Sequence, residues 1–544
     1  MAWYDEAIFY HIYPLGMTGA PKQNNYCEVD HRLNTLVPFI SKIRELGFNA
    51  LYIGPLFESV GHGYETTDYK KLDTRLGTND DLKEFVKECH KQGIRVVLDG
   101  VFNHTGRDFF AFNDIRQNRE SSRYKDWYCN VNFWGNNEFG DGFSYTNWGG
   151  YDLLAKLNQQ NGEVREYICD VIHFWVKEFD IDGIRLDAAD VLDFSYMQML
   201  RSVANEVKPD FWLMGEVIHG DYIRWVNGDT LHSVTNYHLH KALYSGHNDH
   251  NYFEIAHTVK RLYEMGGNRP DGLKLYNFVD NHDVERIYTK LNNKSHFVPV
   301  HILMYTLPGI PSVYYGSEYG IEGQKQRGSD DSLRPEIPYK EYTDAIKSSD
   351  FARLISRLGK IRSETKALSY GEYKELSLTC GQYAFSRNYN GETVIVTVNN
   401  SDNDFILTLP AQNTEEYVGG ISGETVPVKD GCICVNVKAN SGEIWLPSGF
   451  VENEIEPIKV EIEEKPAEVL VAHKTVEPEQ TKEPLKTENN IAHNKSYEEM
   501  TVEELQAAIL DKIGRNGPVT DRMRKDVMEN VYHNSLVTWI KSFN

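Results

Sequence analysis

Short apolar runs alternate with amphipathic segments along most of the chain. Eight runs of strand-like composition predict β-strands at residues 7–15, 50–56, 94–102, 181–187, 211–217, 231–237, 274–280 and 310–316. Between them, apolar residues recur at helical spacing and predict helices at residues 33–46, 79–92, 163–179, 194–207, 253–265, 298–307 and 350–361. This alternation predicts an α/β fold, a parallel (β/α)8 or TIM barrel. A doubly wound open sheet is the alternative, and the absence of a glycine-rich phosphate-binding turn after the first strand disfavours it.

Two segments depart from this alternation. Residues 105–160 are rich in Asn, Gly, Trp and Phe and are too long for a strand-to-helix loop, so they predict a small domain inserted after the third strand. The barrel then comprises residues 1–104 and 161–368. Residues 369–448 contain short alternating strands and predict a C-terminal antiparallel β-sandwich, in which Asn390-Gly391 is a hairpin signal.

The end of the chain has a different composition again. Residues 449–495 are rich in Glu, Lys and Pro and predict an acidic disordered linker. Residues 496–544 regain helical spacing after a capping box formed by Thr501 and Glu504, and they predict a small helical tail. Because two short helices make a small core, we expect this tail to self-associate or to bind a protein partner.

Composition and charge restrict the partners. The 544 residues carry a formal net charge of −23, which argues against nucleic acid and anionic membranes as partners. No apolar run approaches the ~20 residues of a membrane-spanning helix, and the N-terminal residues do not resemble a secretory signal. The seven cysteines are odd in number and scattered, as is typical of free thiols in a reducing compartment. We therefore expect a cytoplasmic protein.

Four acidic residues stand at the predicted ends of barrel strands: Asp99, Asp187, Glu216 and Asp283. A carboxylate is costly to bury there, and the carboxyl ends of barrel strands share one face, so we expect the four acids to meet at one site. Arg185 precedes Asp187 by two residues and shares its strand face, which should keep that carboxylate ionised. The apolar residues before Glu216 should raise its pKa.

The strand-end acids and Arg185 are the kinds of residue that retaining glycoside hydrolysis uses. One carboxylate attacks the anomeric carbon, and a second protonates the leaving oxygen and then activates water. A third acid stabilises the positive charge that develops on the sugar ring. His104 and His282 are hydrogen-bonding groups suited to sugar hydroxyls. Metal-assisted hydrolysis also uses acids, but the sequence contains no HxxxH pair.

At these residues the chain resembles a known family. The four motifs are DGVFNH (99–104), GIRLDAAD (183–190), GEV (215–217) and FVDNHD (278–283). In order and spacing they resemble the conserved motifs of glycoside hydrolase family 13, the α-amylase family, over roughly residues 1–447. The resemblance implies that Asp187 is the nucleophile, Glu216 the acid/base and Asp283 the stabiliser of the transition state.

The resemblance also implies contacts to the substrate. It assigns His104, Arg185 and His282 to the sugar at the cleaved bond. Tyr64, in GYETTDY, would stack on that sugar. Arg334, in SLRPE, is similar to an arginine near the family's outer subsites.

Two positions concern structure and metal binding. The resemblance makes Asp99 a structural partner of Arg185 rather than a catalytic group. Asn103 matches a position that binds calcium in many α-amylases. The expectation is therefore an enzyme that requires no cofactor and for which calcium is an optional ion.

The chain departs from the α-amylase pattern after the nucleophile segment. Ala189-Asp190 stands where α-amylases have Lys-His, which puts the usual product-side contacts and one calcium ligand in doubt. Residues 152–161, DLLAKLNQQN, are similar to the branch of neopullulanase, cyclomaltodextrinase and maltodextrin glucosidase. Enzymes of that branch usually carry an extra N-terminal domain that builds a dimer, whereas this sequence starts at the first strand. Ala188 is more typical of α-1,4 than of α-1,6 preference.

The sequence thus predicts a retaining hydrolase. Its substrates would be the α-1,4 bonds of maltooligosaccharides, cyclodextrins or starch fragments, cleaved by double displacement. A 4-α-glucanotransferase, in which a sugar replaces water as the attacking group, would use the same residues and is the first alternative. A non-catalytic glucan-binding or assembly protein is the second, and it predicts lost carboxylates.

Overall fold

The computed structural model describes residues 2–265, 273–338 and 349–451, together with 455–458, 460, 462, 502 and 505–510. The chain divides into two units, Met1–Leu470 and Val471–Asn544. In the second unit, the described residues 502 and 505–510 are helical, and Leu505 and Ile509 are buried. Most of the predicted linker and helical tail lie outside the described residues, so the partner role of the tail stays a prediction.

Eight parallel strands form a closed ring in the first unit. They are β1 (Phe9–Ile12), β2 (Ala50–Ile53), β3 (Arg95–Gly100), β4 (Gly183–Leu186), β5 (Trp212–Gly215), β6 (Ser233–Val234), β7 (Tyr276–Phe278) and β8 (Ile310–Tyr314). Consecutive strands pair from β1 to β6 and from β7 to β8, and β8 pairs with β1. A parallel bridge between Thr235 and Tyr276 joins β6 to β7 and closes the ring. The predicted barrel is confirmed.

Within the described residues, eight helices surround the ring. They are α1 (Val37–Glu45), α2 (Asn79–Lys91), α3 (Gly162–Phe179), α4 (Phe194–Val207), α5 (Tyr237–Asn248), α6 (Tyr252–Met265), α7 (Phe297–Thr306) and α8 (Asp350–Glu364). Four further helices in the same described ranges are Pro14–Met17, Phe110–Asn118, Ile287–Lys290 and Lys366–Tyr370. Helix α5 is absent from the sequence prediction because its interspersed histidines, asparagine and lysine blur the apolar stripe. A 3-10 turn, Tyr222–Arg224, occupies the connection from β5 to β6.

Side-chain caps set where several helices begin. The Asn161 side chain accepts from the first backbone amides of α3, the Asp193 side chain does so for α4, and the Ser349 hydroxyl does so for α8. Each cap satisfies amides that have no partner inside the helix and stabilises it by about 1 kcal/mol. The caps of α3 and α4 fix the helices on either side of β4.

The interior of the barrel is apolar in one layer and becomes charged toward the carboxyl ends of the strands. Strand residues alternate between the outer helices and the interior. The apolar layer contains Ala7, Phe9, Ala50, Tyr52, Val97, Trp212, Met214, Tyr276, Phe278 and Ile310. Trp212 fills the space that Gly183 leaves open and stacks on Phe9, with ring centroids 5.0 Å apart. Two residues further along β3 and β4 the interior positions are Asp99 and Arg185, which are paired neighbours in the ladder.

The segment inserted after β3 and the C-terminal residues are both β-rich. In the segment inserted after β3, strands His104–Thr105, Asn147–Trp148 and Tyr151–Lys156 form a small sheet. A hairpin of Phe57–Ser59 and Thr66–Leu72 follows β2. The C-terminal strands are β9 (Glu372–Leu378), β10 (Gln382–Tyr389), β11 (Glu392–Asn399), β12 (Phe405–Pro410), β13 (Glu416–Gly419), β14 (Thr425–Pro427), β15 (Cys432–Val437) and β16 (Ser441–Pro447).

All pairings among the C-terminal strands are antiparallel, as predicted. The turn between β10 and β11 places Asn390 at φ 48° and Gly391 at φ 88°, the left-handed conformation that this residue pair favours in hairpins.

All seven cysteines are unpaired thiols. No helix in the described part of the chain has both the length and the apolar character to span a membrane.

A buried carboxyl lies just beyond β8. Glu318 stands in the turn Ser317–Tyr319, is 1% exposed, and accepts a hydrogen bond from the hydroxyl of Tyr10. Burial raises the pKa of Glu318 to about 7. Between the ordinary glutamate pKa and about 7, the folded protein therefore holds a proton that the unfolded chain has already released.

The first prediction concerns the apolar layer. Trp212 is fully buried, so Trp212→Ala should lower the free energy of unfolding by about 3–5 kcal/mol. Urea unfolding followed by circular dichroism measures the change. The control is Trp134→Ala, because Trp134 is 98% exposed and its loss should change stability by less than about 0.5 kcal/mol. Equal midpoints for the two variants would contradict the role of Trp212 in the barrel core.

The second prediction concerns Glu318. Because its folded pKa is raised, wild-type stability should fall as pH rises from the ordinary glutamate pKa through about 7. Glu318→Gln removes this loss, which is on the order of 3 kcal/mol at pH 8. Unfolding midpoints of both proteins at pH 5 and pH 8 test this. The variant should gain on the wild type as pH rises, and a pH-independent difference would refute the assignment.

Candidate active site

One buried guanidinium gathers three of the four acids. Nη1 of Arg185 lies 2.9 Å from Oδ1 of Asp99 and 2.8 Å from Oδ1 of Asp187. Nη2 of the same arginine lies 2.9 Å from Oε2 of Glu216. The side chain of Arg185 is 3% exposed, so these ion pairs stand where water screens charges weakly. The structure therefore brings together the strand-end acids of β3, β4 and β5.

The backbone beyond β4 and β5 sets the positions of two of these acids. The amide of Asp187 donates to the carbonyl of Gly100, and the amide of Glu216 donates to the carbonyl of Leu186, which extends the ladder past the strands. Ala188 adopts a left-handed conformation with φ 46°. Its amide donates to Oε2 of Glu216 at 3.0 Å, so this strained turn orients the Glu216 carboxylate.

Asp187 and Glu216 each keep one oxygen free. Arg185 binds Oδ1 of Asp187, and Arg185 and the amide of Ala188 bind Oε2 of Glu216. Within the described chain, no hydrogen bond reaches Oδ2 of Asp187 or Oε1 of Glu216. One oxygen of each group is therefore fixed, and the other is available to a substrate.

Burial dominates the electrostatics of the cluster. It raises the pKa of Asp187 well above its usual range and also raises the pKa of Glu216. Arg185 is the largest opposing influence on both, while Asp99 raises both pKa values further. The raised pKa of Glu216 agrees with the direction expected from the apolar residues before it. For Asp187 the sequence predicted only the effect of Arg185, which lowers the pKa. In the structure, burial raises the pKa of Asp187 by more than this ion pair lowers it. Because the three carboxylates share one guanidinium, the protonation of each depends on that of the others.

Asp283 approaches from the loop after β7 and is less buried. Its side chain is 32% exposed. Oδ1 of Asp283 accepts from Nη2 of Arg334 at 2.9 Å, and Oδ2 lies 3.0 Å from Nε2 of His282. Nε of Arg334 also donates to the carbonyl of His282. Arg334 therefore fixes the Asp283 loop as well as its carboxylate.

Tyr64 connects the two groups of acids. Its hydroxyl donates to Oδ2 of Asp99 at 3.3 Å and contacts Nε2 of His282. The rings of Tyr64 and His282 are nearly parallel, with centroids 5.9 Å apart. Burial lowers the pKa of His282 well below its usual range, so the imidazole is neutral at pH 7. Through Tyr64 and His282, Asp283 joins the cluster around Arg185.

His104 lies in the inserted segment beside Tyr64. It is 1% exposed, and burial lowers its pKa to about 3, so it is neutral. Its Nε2 is buried without a hydrogen-bond partner among the described residues. An unpaired buried donor or acceptor is costly, and a ligand hydroxyl would satisfy it.

The side chain of Asn103 is hydrogen-bonded on both of its polar atoms. Its side-chain oxygen accepts from Nε2 of Gln159, and its side-chain nitrogen lies 3.2 Å from Nδ1 of His104. In the described ranges, no group of three His, Cys, Asp or Glu residues is placed to hold a metal. Calcium binding at Asn103 stays a prediction, and no chemical step below uses the ion.

Three tyrosines of the site were not predicted from the sequence. Tyr13 follows β1 and stacks on His282 at 5.9 Å, and the guanidinium of Arg334 lies 4.7 Å from its ring centroid. Tyr52, on β2, donates to Oδ2 of Asp99 at 2.7 Å. Tyr237 begins α5, and its hydroxyl accepts from the Asn281 side chain. All three stand on or just after barrel strands, which is the positional signal that could have found them.

Family comparisons agree with this geometry. A model of the α-amylase catalytic domain matches residues 33–357, and one of the α-amylase C-terminal domain matches residues 371–445. The chain belongs to the α-amylase family. It is therefore a glycoside hydrolase of family 13, as the four motifs predicted.

Individual relatives place it near the predicted branch of the α-amylase family. A cyclomaltodextrinase of Thermoanaerobacter pseudethanolicus is 32% identical over 431 residues, covering 75% of this chain and 72% of the relative. An intracellular maltogenic amylase of Bacillus subtilis is 31% identical over 296 residues, covering 54% and 49%. The crystal structure of an Anoxybacillus α-amylase matches with a TM-score of 0.69 and 26% identity, covering 82% of this chain and 99% of that one.

The third prediction tests the electrostatics of the α-amylase-family site. Asp99→Asn removes a negative charge that raises the pKa of both Asp187 and Glu216. Both pKa values should fall, so the acidic and basic limits of kcat/KM against pH should move to lower pH. The control is Asp73→Asn, which alters another buried carboxylate, paired with Arg75 outside the site. Unchanged limits in Asp99→Asn would show that Asp99 is not coupled to the two acids.

Proposed function

We propose that the protein hydrolyses α-1,4 bonds of α-glucan oligosaccharides with retention, by double displacement. The observation that carries the proposal is the pair of carboxylates on the two terminal nitrogens of Arg185, each with one free oxygen. This arrangement is compatible with the ~5–5.5 Å carboxyl separation of retaining enzymes. It supplies one group for attack and one for proton transfer.

In the first step, Oδ2 of Asp187, in its ionised form beside Arg185, forms a bond to the anomeric carbon while the glycosidic carbon–oxygen bond breaks. Oε1 of Glu216 gives its proton to the leaving oxygen. The raised pKa of Glu216 supports this role, because it favours the protonated form of that group. The products of the step are a glycosyl ester on Asp187, a free sugar chain and an ionised Glu216.

In the second step, the carboxylate of Glu216 takes a proton from water, and the water oxygen forms a bond to the anomeric carbon. The ester bond to Asp187 breaks at the same time. Two inversions give net retention, and Glu216 regains its proton. The amide of Ala188 and Arg185 hold Oε2 of Glu216 in both steps, so Oε1 moves the proton twice from one position.

The surrounding residues bind the reacting sugar. We assign Asp283 to the ring hydroxyls and to the positive charge that develops on the ring, since it is the most exposed acid of the three. The unpaired Nε2 of His104 supports a hydrogen bond from that imidazole to a sugar hydroxyl. Tyr64 and His282 complete the wall on this side of the bond.

Relatives support the substrate class and the location. The name cyclomaltodextrinase supports short or cyclic α-1,4 glucans as substrates. The name intracellular maltogenic amylase supports a cytoplasmic location, in line with the unpaired cysteines. Calcium remains an optional ion in this proposal, and the tail of residues 496–544 remains a candidate for self-association or a protein partner.

The fourth prediction tests the mechanism directly. Proton NMR of maltotriose hydrolysis should show the α-anomer of the new reducing end before mutarotation. Asp187→Asn should lower kcat by about 10⁴-fold or more, because the attacking carboxylate is lost.

The control is Asp190→Asn, three residues further along the same loop, which should retain nearly normal turnover. An initial β-anomer would refute retention, and near-normal turnover of Asp187→Asn would refute its role. Product analysis with maltoheptaose, β-cyclodextrin and pullulan distinguishes hydrolysis from transfer, since chains longer than the substrate identify a glucanotransferase.

A further inference from the structure

Three aromatic rings lie side by side on neighbouring barrel strands. His11 on β1 pairs in the sheet with Tyr52 on β2 and with Tyr314 on β8. The ring centroid of His11 lies 4.2 Å from that of Tyr52 and 4.7 Å from that of Tyr314. We call these three residues the ring ladder. Because all three are buried, the contacts among them hold each ring in one place.

One end of the ring ladder holds Asp99. The Tyr52 hydroxyl donates to Oδ2 of Asp99 at 2.7 Å. Asp99 in turn pairs with Arg185 at 2.9 Å. That guanidinium also binds Asp187 and Glu216. A movement of the Tyr52 ring would therefore change the environment of all three acids.

The other end of the ring ladder contacts the loop after β8, which holds Asp283. The Tyr314 hydroxyl donates at 3.0 Å to the carbonyl just before Arg334. Arg334 binds Oδ1 of Asp283 at 2.9 Å. His11 also meets His282, the residue before Asp283, edge to face with ring centroids 5.2 Å apart. The middle ring of the ladder thus links the supports of both groups of acids.

The His11 ring is neutral. Burial lowers its pKa well below the usual range, and the charged or titratable groups that act on it are His282, Arg185, Asp283 and Arg286, beside the phenols of Tyr52 and Tyr314. Of the four, only Asp283 favours the charged form. Nε2 of His11 is buried without a hydrogen-bond partner among the described residues. A neutral ring with this nitrogen unbonded contributes through its shape and its stacking, not as an acid or a base.

We propose that His11 is a positioning residue of the site, whose ring keeps Tyr52 against Asp99 and supports His282 beside Asp283. It acts through these neighbours and not on the substrate. The inference rests on the proposed function, because it takes the acids around Arg185 as the reacting groups.

Loss of the His11 ring should change the pH dependence in one direction. His11→Ala removes the contact that holds Tyr52. The hydrogen bond from Tyr52 lowers the pKa of Asp99, so its loss leaves Asp99 more often protonated. A protonated Asp99 no longer raises the pKa of Asp187 and Glu216. Both limits of kcat/KM against pH should therefore move to lower pH, by less than in Asp99→Asn, and kcat on maltotriose should fall about tenfold.

Three further proteins make the test specific to the ring. His11→Phe keeps an aromatic ring in the ladder and should restore the wild-type pH limits. In the double variant His11→Ala/Asp99→Asn, the limits should equal those of Asp99→Asn alone, because the carboxylate on which the ring acts is gone. His301→Ala is the matched control and should leave the limits unchanged.

His301 is a suitable control because it resembles His11 in everything except its location. It is fully buried in α7, and burial lowers its pKa to about 4. Its Nε2 also lacks a hydrogen-bond partner among the described residues, and its ring packs on Phe297 with centroids 3.8 Å apart. Loss of a buried ring as such is therefore present in both variants.

The free energy of unfolding in urea at pH 7 gives a second readout that needs no substrate. The losses in His11→Ala and Asp99→Asn should be non-additive in the double variant, whereas those of His301→Ala and Asp99→Asn should add. If His11→Ala does not fold, His11→Leu, which fills most of the volume without a ring, replaces it with the same expectations.

Unshifted pH limits in the folded His11 variant, an equal shift in His301→Ala, or additive losses of His11 and Asp99 would overturn the inference. If the wild type hydrolysed no α-glucan, the proposed function would be wrong. The unfolding measurements would still decide whether His11 is coupled to Asp99, so the two failures are distinguishable.

Discussion

The ion pairs of Arg185 are the interaction on which the rest of the structure depends. Three carboxylates from three adjacent strands lie against this one guanidinium inside the barrel. Without it, the carboxylates would have no compensating positive charge in a medium that solvates them poorly. Its planar fork also fixes where Asp187 and Glu216 stand relative to each other. The same contacts that compensate the buried acids therefore also set the separation of Asp187 and Glu216, on which the proposed double displacement would rely.

Along the barrel axis, the apolar layer that stabilises the fold is separate from the charged residues of the site. Phe9, Trp212 and their neighbours form an apolar layer that gains from leaving water, whereas Asp99 and Arg185 lie two residues further along their strands. A single period-two pattern produces both layers, because the interior side of each strand changes from apolar to charged toward its carboxyl end. The strained conformation of Ala188 lies at that end and is held by the ladder on either side.

The sequence predicted the barrel, the C-terminal sheets and the acids of the site because each depends on local pattern: alternation of elements, hairpin signals and motifs at strand ends. Tyr13, Tyr52 and Tyr237 could not be singled out, since only the closed ring brings β1, β2 and β6 to the same face. The net pKa shift of Asp187 was also beyond the sequence, because it is the difference between burial and an ion pair. Helix α5 was missed because its apolar positions share the helix with histidines.

One wall of the site is complete within the folded chain. Tyr64, His282, Asp283 and Arg334 form a continuous hydrogen-bonded and stacked arrangement. Because these contacts are already made, a ligand that meets this wall requires little reordering of its side chains. Under the proposed double displacement, the sugar that would become attached to Asp187 is then selected by a preformed shape, and the hydrogen bonds that hold Asp283 also define that shape.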